Sequence, residues 1–129
     1  MDTLIPIHLT AEFIWKHPEI IFVFDDNILR RGNVGSAKIC RGYPNCYGIA
    51  TKRSDCRDER VCYMNDDLED VYCRIIEQDI KAVPRDDGRR IYVIPGIGEG
   101  YAKLPEKAPK VWEYLQRRLK EEFNYEPRS

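Results

Sequence analysis

The feature that most constrains the fold is an unbroken apolar run, IIFVF at residues 20–24, which continues directly into Asp25, Asp26 and Asn27. Five consecutive apolar residues without alternation are typical of a β-strand that is covered on both faces. A strand of that kind belongs in the middle of a sheet. The polar and glycine-bearing stretch that follows is longer than a simple turn requires. We therefore expect a central strand that ends in a functional loop.

Strand and helix signals alternate along the rest of the chain. Further strands are expected at residues 4–9, 47–50 and 90–94. Helices are expected over residues 11–16, 35–41, from 66 to about 82 and from about 105 onward. Asp66 and Glu69 match a capping box that would start the third of these helices.

This alternation predicts one domain, residues 1–129, of the α/β class. The expected architecture is a three-layer α/β/α sandwich around a mostly parallel or mixed central sheet. The apolar character of residues 20–24 and 90–94 predicts that these two strands are neighbours and that both are central.

Composition excludes several classes of function. The 129 residues include 21 basic and 22 acidic side chains, which argues against a broadly basic nucleic-acid binder. No apolar run approaches the roughly 18 residues of a membrane span, so no membrane partner is expected. Because no export signal precedes the first strand, we expect a cytoplasmic protein.

The five cysteines do not show the close spacing of a structural zinc site. No CxxC pair occurs, and His8 and His17 lie far upstream. An odd number of cysteines without an export signal also argues against a disulfide framework. We expect reduced cysteines, no metal and no cofactor. The residues concerned are Cys40, Cys46, Cys56, Cys62 and Cys73.

Two glycine-bearing loops, residues 25–36 and 95–103, each follow one of the strong strands. In open α/β sheets the carboxyl ends of the strands form a binding crevice, and glycines there let backbone N–H groups approach a phosphate. We therefore expect both loops to line one pocket. The dinucleotide motif GxGxxG and the P-loop are absent, which argues against a Rossmann dehydrogenase or a P-loop enzyme. The glycines concerned are Gly32, Gly35, Gly96, Gly98 and Gly100.

Two stretches of the chain resemble the small macro-domain-like proteins of bacteria and phages. VFDDNILRRGNVGSAKICRGYPNCYGIATK is similar to a signature in which GDN precedes RxGxGGQA, RGxPN and GIPTK. IYVIPGIGEGYAKLPEKAPKVWEYL is similar to the macro-domain strand, glycine loop and final helix. Three positions depart from the pattern: Asp25 replaces glycine, Val34-Gly35-Ser36 replaces Gly-Gly-Gln, and Ala50 replaces proline.

The resemblance implies a crevice for ADP-ribose or a related nucleotide, and activity on an ADP-ribosylated macromolecule if the crevice also hydrolyses an ADP-ribosyl bond. Asp26 and Asn27 match the DN pair and are the expected catalytic residues, because either could position a water molecule beside the distal ribose. The expected ligand-binding residues are Arg31, Gly32, Gly35, Ser36, Thr51, Lys52, Gly96, Ile97, Gly98, Glu99, Gly100 and Tyr101. A glutamate at Gly98 is expected to abolish binding with little effect on the fold.

Other interpretations stay open. Asp26 could simply be a turn acid and Asn27 a left-handed or backbone-bridging residue. The crevice could bind a nucleotide signal without turnover, as a reader or sponge. A basic cluster could instead contact nucleic-acid phosphates. That cluster consists of Arg30, Arg31, Lys38, Arg41, Lys52, Arg53 and Arg57. The aromatic candidates for stacking a base are Tyr43, Tyr47 and Tyr101.

Overall fold

The computed structural model describes residues 3–126. Three strands are present among them: β1 (Ile20–Asn27), β2 (Cys46–Lys52) and β3 (Arg90–Val93). The α-helices are α1 (Ala11–Lys16), α2 (Ala37–Cys40), α3 (Glu69–Ala82), α4 (Leu104–Lys107) and α5 (Pro109–Phe123), and a 3₁₀ helix, Asp66–Leu68, precedes α3. The predicted α/β class is confirmed. None of the helices within these residues combines the length and apolarity needed to cross a bilayer.

The first strand is longer than its apolar run. The parallel ladder with β2 continues past Phe24, and Asp25 pairs with Ile49 and Asp26 with Ala50. The register shifts between Asp26 and Asn27. The polar residues are therefore the last positions of a strand and not the first positions of a loop, because the ladder hydrogen bonds depend on backbone groups and tolerate polar side chains.

All strand pairs in the sheet are parallel, in the order β2-β1-β3. β3 is the neighbour of β1, as predicted. The prediction that residues 90–94 form a central strand is wrong, because β3 lies at an edge of this three-stranded sheet. The strand expected at residues 4–9 is also wrong: residues 3–10 have no regular secondary structure. Pro6 cannot donate to a strand ladder, and Leu4 and Ile7 are 90% and 93% exposed.

Apolar residues are buried on both faces of the sheet. Ile21 and Val23 pack in a cluster with residues of α3, α4 and α5. Phe22 and Phe24 point the other way and pack with residues of α1 and α2. Because side chains alternate along a strand, Asp25 is directed to the first face and Asp26 to the second.

The 3₁₀ helix before α3 is linked to α5 by an acidic residue that caps α5. The carboxylate of Asp66 accepts hydrogen bonds from the backbone N–H groups of Lys110, at 3.1 Å, and Val111, at 3.3 Å. The predicted capping box with Glu69 is wrong, since no side chain caps the start of α3. The final helix is divided at Ala108, because α4 ends at Lys107 and Pro109 starts α5.

The expectation of five reduced cysteines is wrong for one pair. Cys56 and Cys62 form a disulfide, with their Cα atoms 5.6 Å apart. The backbone N–H of Arg53 donates to the carbonyl of Cys62 at 2.8 Å, so the loop between β2 and Cys62 folds back on itself. Cys40, Cys46 and Cys73 are free.

Removing the Asp66 carboxylate should destabilise the fold. We expect Asp66→Ala to lower the free energy of unfolding by about 1 kcal/mol, the usual cost of losing a helix N-cap. Asp67→Ala is the matched control, because Asp67 is adjacent and exposed and has no partner among the described residues. Urea unfolding of both variants measures the difference. Equal stability of the two variants would contradict the capping role.

Candidate functional site

A cavity of about 1210 Å3 opens where the strands end. Its lining includes Asp25, Asp26 and Asn27 of β1, Thr51 and Lys52 of β2, and the segment that follows β3. The two glycine-bearing loops therefore face one another across the carboxyl ends of parallel strands, which is the common ligand position in open α/β sheets.

Most of the expected site residues line this cavity, while their roles as ligand contacts or catalysts stay predictions. The residues that line it are Asp26, Asn27, Arg31, Gly32, Gly35, Ser36, Thr51, Lys52, Gly96, Ile97, Glu99, Gly100 and Tyr101. Gly98 does not. Among the tyrosines considered for stacking a base, only Tyr101 contributes to the lining.

Gly98 faces the protein interior. Its φ is +83°, and a Cβ atom placed there would lie 3.1 Å from Trp112 and 3.3 Å from Leu104 and Leu115. The expectation that a glutamate at this position would leave the fold intact is therefore wrong, because the added side chain would enter the core. The glycine is required for its backbone conformation and for close packing.

We expect Gly98→Ala to lower the free energy of unfolding by about 1–3 kcal/mol through overpacking and a strained φ. Gly100→Ala is the control, because a Cβ at Gly100 would meet nothing within 4 Å. Thermal unfolding of both variants checks this. A Gly98→Ala protein as stable as the control would show that the core accommodates the methyl group.

Asp26 forms an ion pair with Arg41 that holds the first glycine loop, residues 25–36. Its Oδ1 accepts a 2.7 Å hydrogen bond from Nη2 of Arg41 and a 2.8 Å bond from the backbone N–H of Asn27. Arg41 also donates through Nε to the carbonyl of Gly32 at 2.9 Å. With 7% of its surface exposed, Asp26 fixes the course of the loop over the cavity.

Asn27 is also only 7% exposed, and only one of its two side-chain polar atoms has a hydrogen-bond partner. Its Nδ2 donates to the carbonyl of Arg31 at 2.7 Å, which closes the turn after β1. Its Oδ1 has no hydrogen-bond donor within the described residues. A buried acceptor without a partner is uncommon, and a water molecule or a ligand hydroxyl would satisfy it.

Asp25 is the functional candidate that sequence reasoning missed. Its carboxylate accepts a hydrogen bond from Thr51 Oγ1 and another, at 2.8 Å, from the backbone N–H of Gly98. Desolvation by burial raises the pKa of Asp25 to about 6, although the bonds from Thr51 and Gly98 act in the opposite direction. In the sequence, the one indication of a special role was that Asp25 occupies the position where the macro-domain-like signature has glycine.

A carboxyl group with a raised pKa gives a defined pH dependence. The folded state binds the Asp25 proton more tightly than the unfolded state, so the contribution of Asp25 to the free energy of unfolding should fall as pH rises from 3.8 to about 6. Asp25→Asn should remove that fall. Carbon-13 shifts of the carboxyl groups should show Asp25 titrating near 6.

Asp55 is the internal control for this titration, because the hydrogen bond from Arg31 lowers the pKa of its carboxyl group. A midpoint for Asp25 at or below 3.8 would contradict the raised pKa.

Several cations around the first loop are already paired. Arg30 lies 2.6 Å from Asp79, Arg31 lies 3.2 Å from Asp55, and Arg41 binds Asp26. Arg57 and Lys103 also line the cavity, and their side chains form no hydrogen bond or ion pair among residues 3–126, although Lys103 interacts with the charge of Glu59. The acidic partners of these three arginines reduce the free positive charge that the basic cluster could offer to nucleic-acid phosphates.

The first glycine loop presents unused backbone donors. Within the described part of the chain, the N–H groups of residues 32–36 donate to no backbone or side-chain acceptor. Gly32 and Gly35 have φ values of +95° and +64°. A run of free N–H groups in such a loop suits an anion.

The ends of the cavity differ in chemistry. Near the end of β2 lie the charged side chains of Lys52, Asp55 and Arg57. Near β3 the lining is largely apolar and comes from the irregular N-terminal segment, β3 and the residues after it. These residues are Ile5, Pro6, Ile7, His8, Leu9, Tyr92, Ile94 and Pro95. The cavity therefore suits a ligand with one polar and one apolar part.

Comparison with known proteins gives a family without an assigned activity. No curated protein and no solved structure matches the chain. One family model matches residues 6–118, which include the three strands, both glycine loops and most of α5. The chain therefore belongs to a family of unknown function, DUF7831.

Proposed function

We propose that the cavity binds ADP-ribose or a related nucleotide. The observation that carries this proposal is the meeting of two glycine loops at the carboxyl ends of parallel strands, around one cavity with charged and apolar ends. Nucleotides combine an anionic group, hydroxyl groups and a flat apolar ring system, and each part has a suitable surface here. The resemblance of both loops to macro-domain-like proteins supports the same ligand class.

The phosphates would lie against the first glycine loop. The free N–H groups of residues 32–36 would donate to phosphate oxygens, and Arg57 and Lys103, whose side chains form no ion pair in the described chain, would supply positive charge. Asp25 and Glu99 also line the cavity, so the attraction for a polyanion is moderate.

The distal sugar would lie between the ends of β1 and β2. The unpartnered Oδ1 of Asn27 would accept a hydrogen bond from a hydroxyl group of the sugar or from an ordered water molecule. Asp26 would act indirectly, because its oxygens hold Arg41 and the backbone of Asn27 in place.

The proposal includes a three-layer, macro-domain-like architecture. Helices packed against both faces of a parallel sheet support it. A sheet of three strands within residues 3–126 is small for such a sandwich. A solved structure of the chain with nucleotide bound would decide this point directly.

A second activity, hydrolysis of an ADP-ribosyl bond, is favoured by Asp25. A carboxyl group with a pKa of about 6 in a cavity can accept a proton from water near neutral pH. Water would attack the anomeric carbon of the distal ribose and form the new C–O bond, while Asp25 accepts the proton that water loses. The leaving group would depart with the electron pair of the broken bond, as a carboxylate where ADP-ribose is carried on an acidic side chain, and Asp25 would then release its proton to solvent.

Binding is tested by calorimetry with ADP-ribose. We expect the wild type to bind and Arg57→Glu to weaken binding by at least about tenfold at low salt, because a phosphate-facing cation becomes an anion. Arg74→Glu is the matched control, since Arg74 is exposed on α3, outside the cavity and unpaired among the described residues. An unchanged affinity in Arg57→Glu would contradict the phosphate position.

Hydrolysis is tested with a peptide that carries ADP-ribose on an acidic side chain. We expect Asp25→Asn to slow release about a hundredfold and to change binding much less, because it removes a proton acceptor. Asn27→Ala should weaken binding by about 1–2 kcal/mol through the lost hydrogen bond. Wild-type binding without release would refute hydrolysis and leave a reader or sponge.

A further inference from the structure

We propose that the irregular N-terminal segment, residues 5–9, together with β3, forms the receptor for the nucleobase of the bound nucleotide. This inference rests on the proposed function and assigns the two ends of the ligand to the two ends of the cavity. The base would lie on the β3 side, and the distal sugar would lie on the β2 side.

The wall on the β3 side is built from three separate parts of the chain. Ile5 and Leu9 of the N-terminal segment are half-buried and pack on the same cluster as Tyr92, Ile94 and Ile39 of α2. All five also line the cavity. These five side chains therefore pack on the core on one side and face the cavity on the other.

The N-terminal segment is held in place although it has no regular structure. Arg90, the first residue of β3, donates through Nη1 to the carbonyl of Thr3 at 2.7 Å. Farther along the segment, Thr10 caps α1 by accepting a 3.1 Å bond from the N–H of Phe13. Residues 4–9 are therefore fixed at both ends, and residues 5–9 line the cavity between these two contacts.

Charge explains why this end would receive the base and not the phosphates. The five apolar side chains of this wall are joined by Pro6, Ile7, His8 and Pro95, so the wall itself has no arginine, lysine, aspartate or glutamate, while the loop after β3 adds Glu99 and Lys103 to the cavity farther along the chain. The charged groups and the free backbone donors lie beyond it, across the ends of β1 and β2. Apolar burial is the main force available here, and a flat ring offers a large area for it.

Tyr101 is the rival position for the base. Its ring lies beside Gly35, and 59% of its surface is exposed. It is a single exposed ring, whereas the β3 side offers five apolar side chains backed by the core. We therefore assign the base to the β3 side, and the experiment below separates the two positions.

The test compares AMP with ribose 5-phosphate, which carries a hydroxyl group in place of the base, and uses ADP-ribose as the reference ligand. We expect the wild type to bind AMP at least about tenfold more tightly than ribose 5-phosphate, because the ring buries apolar surface. Ile5→Ser should remove most of that preference. Ile7→Asp should reduce it without affecting the fold, since Ile7 lines the cavity and is 93% exposed.

Two variants act as controls. Leu4→Asp matches Ile7→Asp, because Leu4 is 90% exposed and does not line the cavity. Both Leu4→Asp and Tyr101→Ala should keep the preference for AMP. Two results would overturn this assignment in variants that still bind ADP-ribose. One is a preference for AMP that survives in Ile5→Ser and Ile7→Asp, and the other is a preference for AMP that disappears in Tyr101→Ala. If the wild type binds none of the three ligands, the proposed function fails and this inference fails with it.

Discussion

The site depends on the parallel ladder between β1 and β2 and on its continuation into polar residues. Because the ladder carries Asp25 and Asp26 as strand residues, the two carboxylates are directed to opposite faces of the sheet. Asp26 meets Arg41 and fixes the first loop, and Asp25 meets Thr51 and the second loop. One pair of adjacent acids thereby sets the position of both loops. An irregular turn in place of the last strand residues would not separate the two roles in this way.

The arrangement also explains how a site can be rigid although its loops lack regular structure. Asp79 of α3 accepts a 2.8 Å bond from the backbone N–H of Ala50 and pairs with Arg30 of the first loop. Asn45 donates to the carbonyls of Ile14, His17 and Ile20, which joins the end of α1 to the start of β1. Each contact satisfies a buried backbone or charged group, so displacement of a loop would leave such a group without a partner.

Sequence reasoning located β1, the two loops and their common cavity because these depend on local apolar runs and on the rule that parallel strands end at one edge. It could not find contacts between distant residues. The bond between Asp25 and Gly98 spans 73 positions, and nothing near either residue indicates it. Likewise, the apolarity of residues 90–94 does not reveal that β3 lies at a sheet edge. Residues 4–9, which look like a strand, contain Pro6 and add no further strand to the sheet.

The cap on α5 has a consequence for the order of folding. Asp66 and the backbone of Lys110 are 44 residues apart in sequence, so the first turn of α5 gains its acceptor only when two distant segments have docked. A contact of that separation forms after the local turns of a helix, since the loop entropy must be overcome first. The start of α5 and the 3₁₀ turn should therefore become protected from hydrogen exchange in the same step. The helical layer that supports Gly98, and with it the second loop, is completed late.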